Sequence, residues 1–120
     1  MFPTRVIRVL AGVFGFWGVA GGALAAHAVK DPHAAAIVRM GANYALVHGI
    51  LLLCWEAEDK IARAAMACFT AGTLFFSGSL ALKYGLGITA AGVFAPVGGT
   101  LLMLGWLTVI ARSLRKAVSR

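Results

Sequence analysis

A chain of 120 residues with 61% hydrophobic and only 12% charged side chains, at a mean hydropathy of +0.88, lacks the polar surface a water-soluble domain needs. Its net charge of +7 would fit a nucleic-acid binder, but the basic residues bracket apolar runs instead of clustering with aromatics on a polar face. No nucleic-acid partner is expected.

Residues 9–29, 40–55, 64–82 and 84–111 contain no Asp, Glu, Lys or Arg. In hydrocarbon, runs of this length satisfy their backbone groups only as helices. The expected architecture is an all-α integral membrane protein. It is one domain, an up-and-down bundle of four transmembrane helices at about 6–28, 32–55, 61–82 and 94–114.

Helix 1 carries glycines at Gly12, Gly15, Gly18, Gly21 and Gly22. Gly18, Gly22 and Ala26 form a small-xxx-small stripe on which another helix could approach closely. Arg5 and Arg8 before an apolar run that leads to Ala23-Leu24-Ala25 resemble a cleavable signal. The run is longer than a signal's apolar region, so a retained first helix is expected.

Asp31-Pro32 is a helix start, with Asp as N-cap and Pro where a missing N–H costs nothing. Helix 2 then exceeds a hydrocarbon core of about 30 Å, which lets Arg39 reach the headgroups and puts Trp55 at the opposite interface. Residues 56–60 make a short turn, so helices 2 and 3 form an antiparallel hairpin. Cys54 and Cys68 lie at unequal depths about this turn and are expected free, as small packing residues.

Helix 3 contains Phe76-Ser77-Gly78-Ser79, Tyr84 marks its interface, and residues 85–91 read as a loop. Helix 4 starts between Gly92 and Pro96, where a proline is tolerated. Gly78, Pro96, Gly98, Gly99 and Gly105 are expected at close helix contacts. Trp106 lies too deep for a headgroup anchor, so its indole N–H needs a partner inside the bundle.

With four spans, Arg5, Arg8, Lys60, Arg63, Arg112, Arg115, Lys116 and Arg120 share one side, against Lys30, Arg39 and Lys83 on the other. The positive-inside rule then puts both termini in the cytoplasm. Membrane lipids are expected partners, with anionic headgroups met by Arg39, Arg112, Arg115 and Lys116.

Polar side chains inside spans are the functional candidates: His27, Asn43, Tyr44, His48, Ser77 and Ser79. His48 is the strongest, sharing a helix face with Tyr44. Their ordinary role is hydrogen bonding between helices, or, for the serines, back to their own helix. Most of them are expected in the non-cytoplasmic half. His27 and His48 fall about 20 Å apart in depth, too far for two haem ligands. Asp31, Glu56, Glu58 and Asp59 all sit at boundaries, so no span carries the carboxylate that proton-coupled export needs. No nucleophile–base set, phosphate loop or metal-ligand spacing is present, and no enzyme, metal or cofactor is expected.

Ala26-His27 behind a glycine-rich helix, Tyr44-x-x-x-His48, Phe76-Ser77-Gly78-Ser79-Leu80, Pro96-x-Gly98-Gly99 and Gly105-Trp106 occur in that order. Together they resemble the domain-of-unknown-function 423 family, also called transmembrane protein 256-like. The resemblance runs from about Gly12 to Leu107. It implies a small four-helix protein of the bacterial inner membrane, or of the mitochondrial one in a eukaryote, and brings no reaction, cofactor or substrate with it. The leading expectation is a non-catalytic bundle, either a homo-oligomer or an accessory subunit of a larger membrane complex. The alternatives are a transporter or channel lined by Asn43, Tyr44, His48, Ser77 and Ser79, and a quinone- or lipid-binding module using His27 and Arg39.

Overall fold

The computed structural model describes residues 4–119. Four helices, α1 (Thr4–His27), α2 (Pro32–Cys54), α3 (Lys60–Leu80) and α4 (Ala95–Ser119), are each long and apolar enough to cross a membrane. Local chemistry sets their starts. Asp31 caps α2 by accepting the Ala34 N–H at 2.8 Å, with Pro32 as the first helical residue. Asp59 caps α3 by accepting the Ala62 N–H at 2.7 Å. The Trp55 indole donates to the Ala62 carbonyl at 2.9 Å and so ties the end of α2 to the first turn of α3. Trp55 is therefore more than an interface marker.

Helix 4 outruns its expected end. At 25 residues it is about 37 Å long, against a hydrocarbon core of about 30 Å. Arg115 and Lys116 thus ride on its last turns, beyond the expected end at 114; Arg120 lies outside the described residues. At the other end, α3 widens into a π-turn (Ala81–Gly85), and a 3-10 helix (Thr89–Phe94) leads into α4. Part of the segment expected as a loop is thus helical. Between the two, Gly87 reverses the chain at φ 77°, a conformation open to glycine. Pro96 is exposed, so its role is to start α4 rather than to pack.

The helices pair unequally. α1 lies along α2, and α3 along α4; α2 joins the pairs through α3, while α1 touches α3 only briefly. The buried stripe of α1 is Ile7, Ala11, Phe14, Gly18, Gly21 and Ala25. Its 4-3-4-3-4 spacing is a 3.5-residue seam, the left-handed packing of coiled coils and most membrane bundles. A Cβ on Gly18 would meet the Leu46 Cβ at 2.5 Å, and one on Gly21 the Ala42 Cβ at 3.0 Å.

That spacing corrects the expected stripe. An i, i+4 line from Gly18 drifts off the seam, so Gly22 has nothing within 4 Å of its Cβ position. Gly78 likewise meets nothing and is no contact glycine within the chain. Between α3 and α4 the approach is closest at Gly98, where a Cβ would run into the backbone of Phe76. Gly105 sits 2.7 Å from the Phe69 ring on the same measure, whereas Gly99 is at an ordinary 3.7 Å. Gly49 and Gly72, not singled out in the sequence, are equally tight against Ala11 (2.8 Å) and Leu102 (2.9 Å).

Candidate functional site

His48 is 4% exposed and lies where α2, α3 and α4 meet. The Trp106 indole N–H donates to His48 Nε2 at 3.2 Å, and His48 Nδ1 lies 2.7 Å from the Tyr44 carbonyl oxygen. Because Nε2 accepts, Nδ1 must carry the proton and donate, which assigns the neutral Nδ1–H tautomer. The rings of Phe69, Trp106 and Tyr44 surround the imidazole at 5.7, 6.0 and 6.1 Å between centroids. Trp106 thus finds the interior partner its depth required.

The remaining candidates do not join His48 in one chamber. Ser77 Oγ donates across the helix interface to the Gly41 carbonyl at 2.7 Å, not back along α3 as expected. Ser79 does bond within its helix, to the Phe76 carbonyl at 3.0 Å. Tyr44 is half-exposed and packs against Phe76 at 4.9 Å between centroids. Asn43 points outward, and His27 is exposed on the last turn of α1. His48 is level with Phe69 of α3, nearer the end of the bundle that holds the termini. His27, Ser77 and Ser79 lie in the opposite half, as expected, Asn43 and Tyr44 lie near mid-span, and His48 is the exception.

Gly49 lies against Ala11 and Gly15 of α1, so His48 is about 20 Å from His27 along that helix. Among the described residues no three His, Cys, Asp or Glu side chains gather as a metal site. Cys54 and Cys68 are free thiols, and Cys54 is exposed rather than packed inside the chain. Thr73, 1% exposed, holds a hydroxyl with no hydrogen-bond partner among the described residues.

Two of the expected headgroup cations bind carboxylates. Arg112 Nε reaches Asp59 Oδ2 at 3.2 Å and its Nη2 reaches Glu58 at 3.5 Å. Lys116 pairs with Glu58 at 3.5 Å. α4 carries these cations back over the α2–α3 turn. Arg39 and Arg115 are exposed. Asp59 is held below the usual carboxyl range, first by the Ala62 N–H it accepts and then by Arg112.

Between α1 and the α3 π-turn lies an apolar groove of about 650 Å³, lined by Trp17, Leu24, Val38, Leu82 and Leu86, with Lys30 at its edge. Neither His27 nor Arg39 lines it.

Residues 21–99, which hold every polar candidate except Trp106, match the family described as Protein of unknown function (DUF423). The chain belongs to this family. It is 34% identical over 110 residues to a UPF0382 membrane protein of Haemophilus influenzae, covering 83% of this chain and 86% of the relative. It is 27% identical over 121 residues to the UPF0382 membrane protein SAB0533 of Staphylococcus aureus, covering 94% and 98%. No solved structure matches the chain. DUF423 membership and four spanning helices make this a membrane protein, and the sequence resemblance to that family holds.

Sequence reasoning missed Phe69, Thr73, Gly49 and Gly72. The glycines carried a partial signal, since a glycine inside a span suits close helix contact, but Gly22 and Gly78 lie inside spans too and meet nothing. Phe69 and Thr73 carried none, since an apolar run does not reveal which of its residues face inward.

Proposed function

We propose that this DUF423 protein is a non-catalytic helical bundle of the bacterial inner membrane, with cytoplasmic termini, that acts through protein contacts as a homo-oligomer or a subunit of a larger complex. One observation carries this reading. The polar side chains of His48, Trp106, Ser77 and Ser79 hydrogen-bond one another or backbone carbonyls at the helix contacts. A transport pathway would need those side chains on one continuous wet surface, and Asn43 and His27 face outward instead. Meanwhile much of the apolar surface of the helices, the outer face of α2 included, is left uncovered by the chain itself.

Purification from native membranes in mild detergent tests it. An oligomer, or a stoichiometric co-purifying partner, is expected; a solitary monomer without a partner contradicts it. A second reading, lipid binding, is favoured by the groove beside Lys30, whose apolar walls and single cation suit an acyl chain with an anionic headgroup. Native mass spectrometry is then expected to retain an anionic lipid that Lys30→Glu releases.

A further inference from the structure

Helix α2 has three sides. It packs on α1 through Ala42, Leu46 and Gly49, and on α3 and α4 through Gly41 and His48. The third side is open: Ala36, Met40, Asn43, Val47, Ile50 and Cys54 are all exposed. Their spacing is 4-3-4-3-4, the same 3.5-residue seam by which α1 is buried in this chain. At the middle of that apolar stripe stands a carboxamide.

Asn43 lies about 18 Å along the helix from the interfacial Trp55, well inside a hydrocarbon core of about 30 Å. No hydrogen bond to its side chain is found among the described residues. Acyl chains offer an amide nothing, and an unpaired polar group in hydrocarbon is costly. We propose that the outer face of α2 is the seam of a parallel homodimer in which Asn43 hydrogen-bonds Asn43 of a second copy.

Three features select a second copy over other occupants. A carboxamide both donates and accepts, so it is satisfied by its own image. The strong bias of basic residues to one side gives every copy one orientation, so like residues meet at like depth about a two-fold axis. The seam's flanks also match. In a parallel heptad pair, Arg39 on one flank stands opposite the residue five positions on in the other copy. That residue is Tyr44, whose half-exposed ring can receive a guanidinium. The remaining flank residues, Ile37, Leu46, Leu51 and Leu53, are apolar, Leu46 also packing on Gly18 of α1.

This dimer rests on the contact-forming reading above and specifies its surface, and cross-linking in native membranes separates the two. Oxidation with copper-phenanthroline is expected to join Cys54 to Cys54 at twice the monomer mass, with Cys68 replaced by Ser. In a thiol-free background, Val47→Cys and Ile50→Cys are expected to cross-link, and Val19→Cys on α1 and Leu107→Cys on α4 to stay monomeric. Asn43→Val is expected to weaken dimerisation about five- to thirtyfold, which is about 1–2 kcal/mol at 1.4 kcal/mol per tenfold. Asn43→Gln, which keeps the amide, retains most of it. Because Asn43 faces away from its own bundle, thermal unfolding of the monomer is expected unchanged in both variants. Cross-links from α1 or α4 but not α2, or from α2 to a different protein, overturn the seam and leave the contact-forming reading standing. No cross-link at any face, with a partnerless monomer on purification, overturns both.

Discussion

Replacing Gly98 by Ala is expected to force α3 and α4 apart. The new Cβ would collide with the Phe76 nitrogen and lie 2.7 Å from the Phe75 carbonyl carbon and the Phe76 Cα. All three atoms are backbone, so no rotamer change relieves the contact. Restoring carbon–carbon contact of about 3.5 Å moves the helices about 1 Å apart. That shift also loosens Gly105 on Phe69 and Leu102 on Gly72, which share the seam. Overpacking of this kind costs about 1–3 kcal/mol, and the better helix preference of Ala returns about 0.5–1 kcal/mol. The net loss is about 0–2.5 kcal/mol; against a control alanine that carries the same helix gain the difference is about 1–3 kcal/mol, a factor of about 5 to 150 in the unfolding equilibrium. Gly22→Ala, with nothing within 4 Å, is the control and is expected to leave stability level or slightly raised. Reversible unfolding in mixed micelles, followed by circular dichroism, reads both. Equal stabilities for the two variants would refute the close approach of α3 and α4.

Three further outcomes are expected. Trp106→Phe leaves His48 Nε2 without its donor and is expected to cost about 0.6–1.7 kcal/mol by the same unfolding assay. Thr73→Val removes a buried hydroxyl with no partner among the described residues and is expected to raise stability by about 1 kcal/mol. Asp59, whose carboxyl is depressed in the folded protein, contributes stability above its unfolded value of about 3.9 and loses it as pH falls through the lower folded value. Wild-type unfolding midpoints are therefore expected to drop below about pH 4, and Asp59→Asn to lose that component of the drop.

The spans were legible because lipid imposes a simple rule: long charge-free runs must be helices. Trp106 was legible by depth, since an indole N–H so far inside a span has no water to bond. Side-chain direction was harder to read. The stripe Gly18-Gly22-Ala26 looked continuous on an i, i+4 line, but a 3.5-residue seam passes through Gly18, Gly21 and Ala25. Ser77 could bond along or across its helix, and only the nearness of Gly41 decides for across. Arg112 carries a charge that suits a headgroup equally well, and only the packing of α4 along α3 brings it over Glu58 and Asp59. Asn43 looked like a lining residue because a polar group in a span is expected to turn inward. Its outward direction appears only once α1 and α3 occupy the other two sides of α2.

The dryness of the bundle interior is tested most directly at Ser77, in a variant with Cys54 and Cys68 replaced by Ser and Ser77→Cys as its one thiol. In native membranes this thiol is expected to resist a membrane-impermeant thiosulfonate from either side and to react only after denaturation. Prompt labelling of the folded protein would mean that water reaches the α2–α3 contact, and the chain would then have to be read as a pathway rather than a docking bundle.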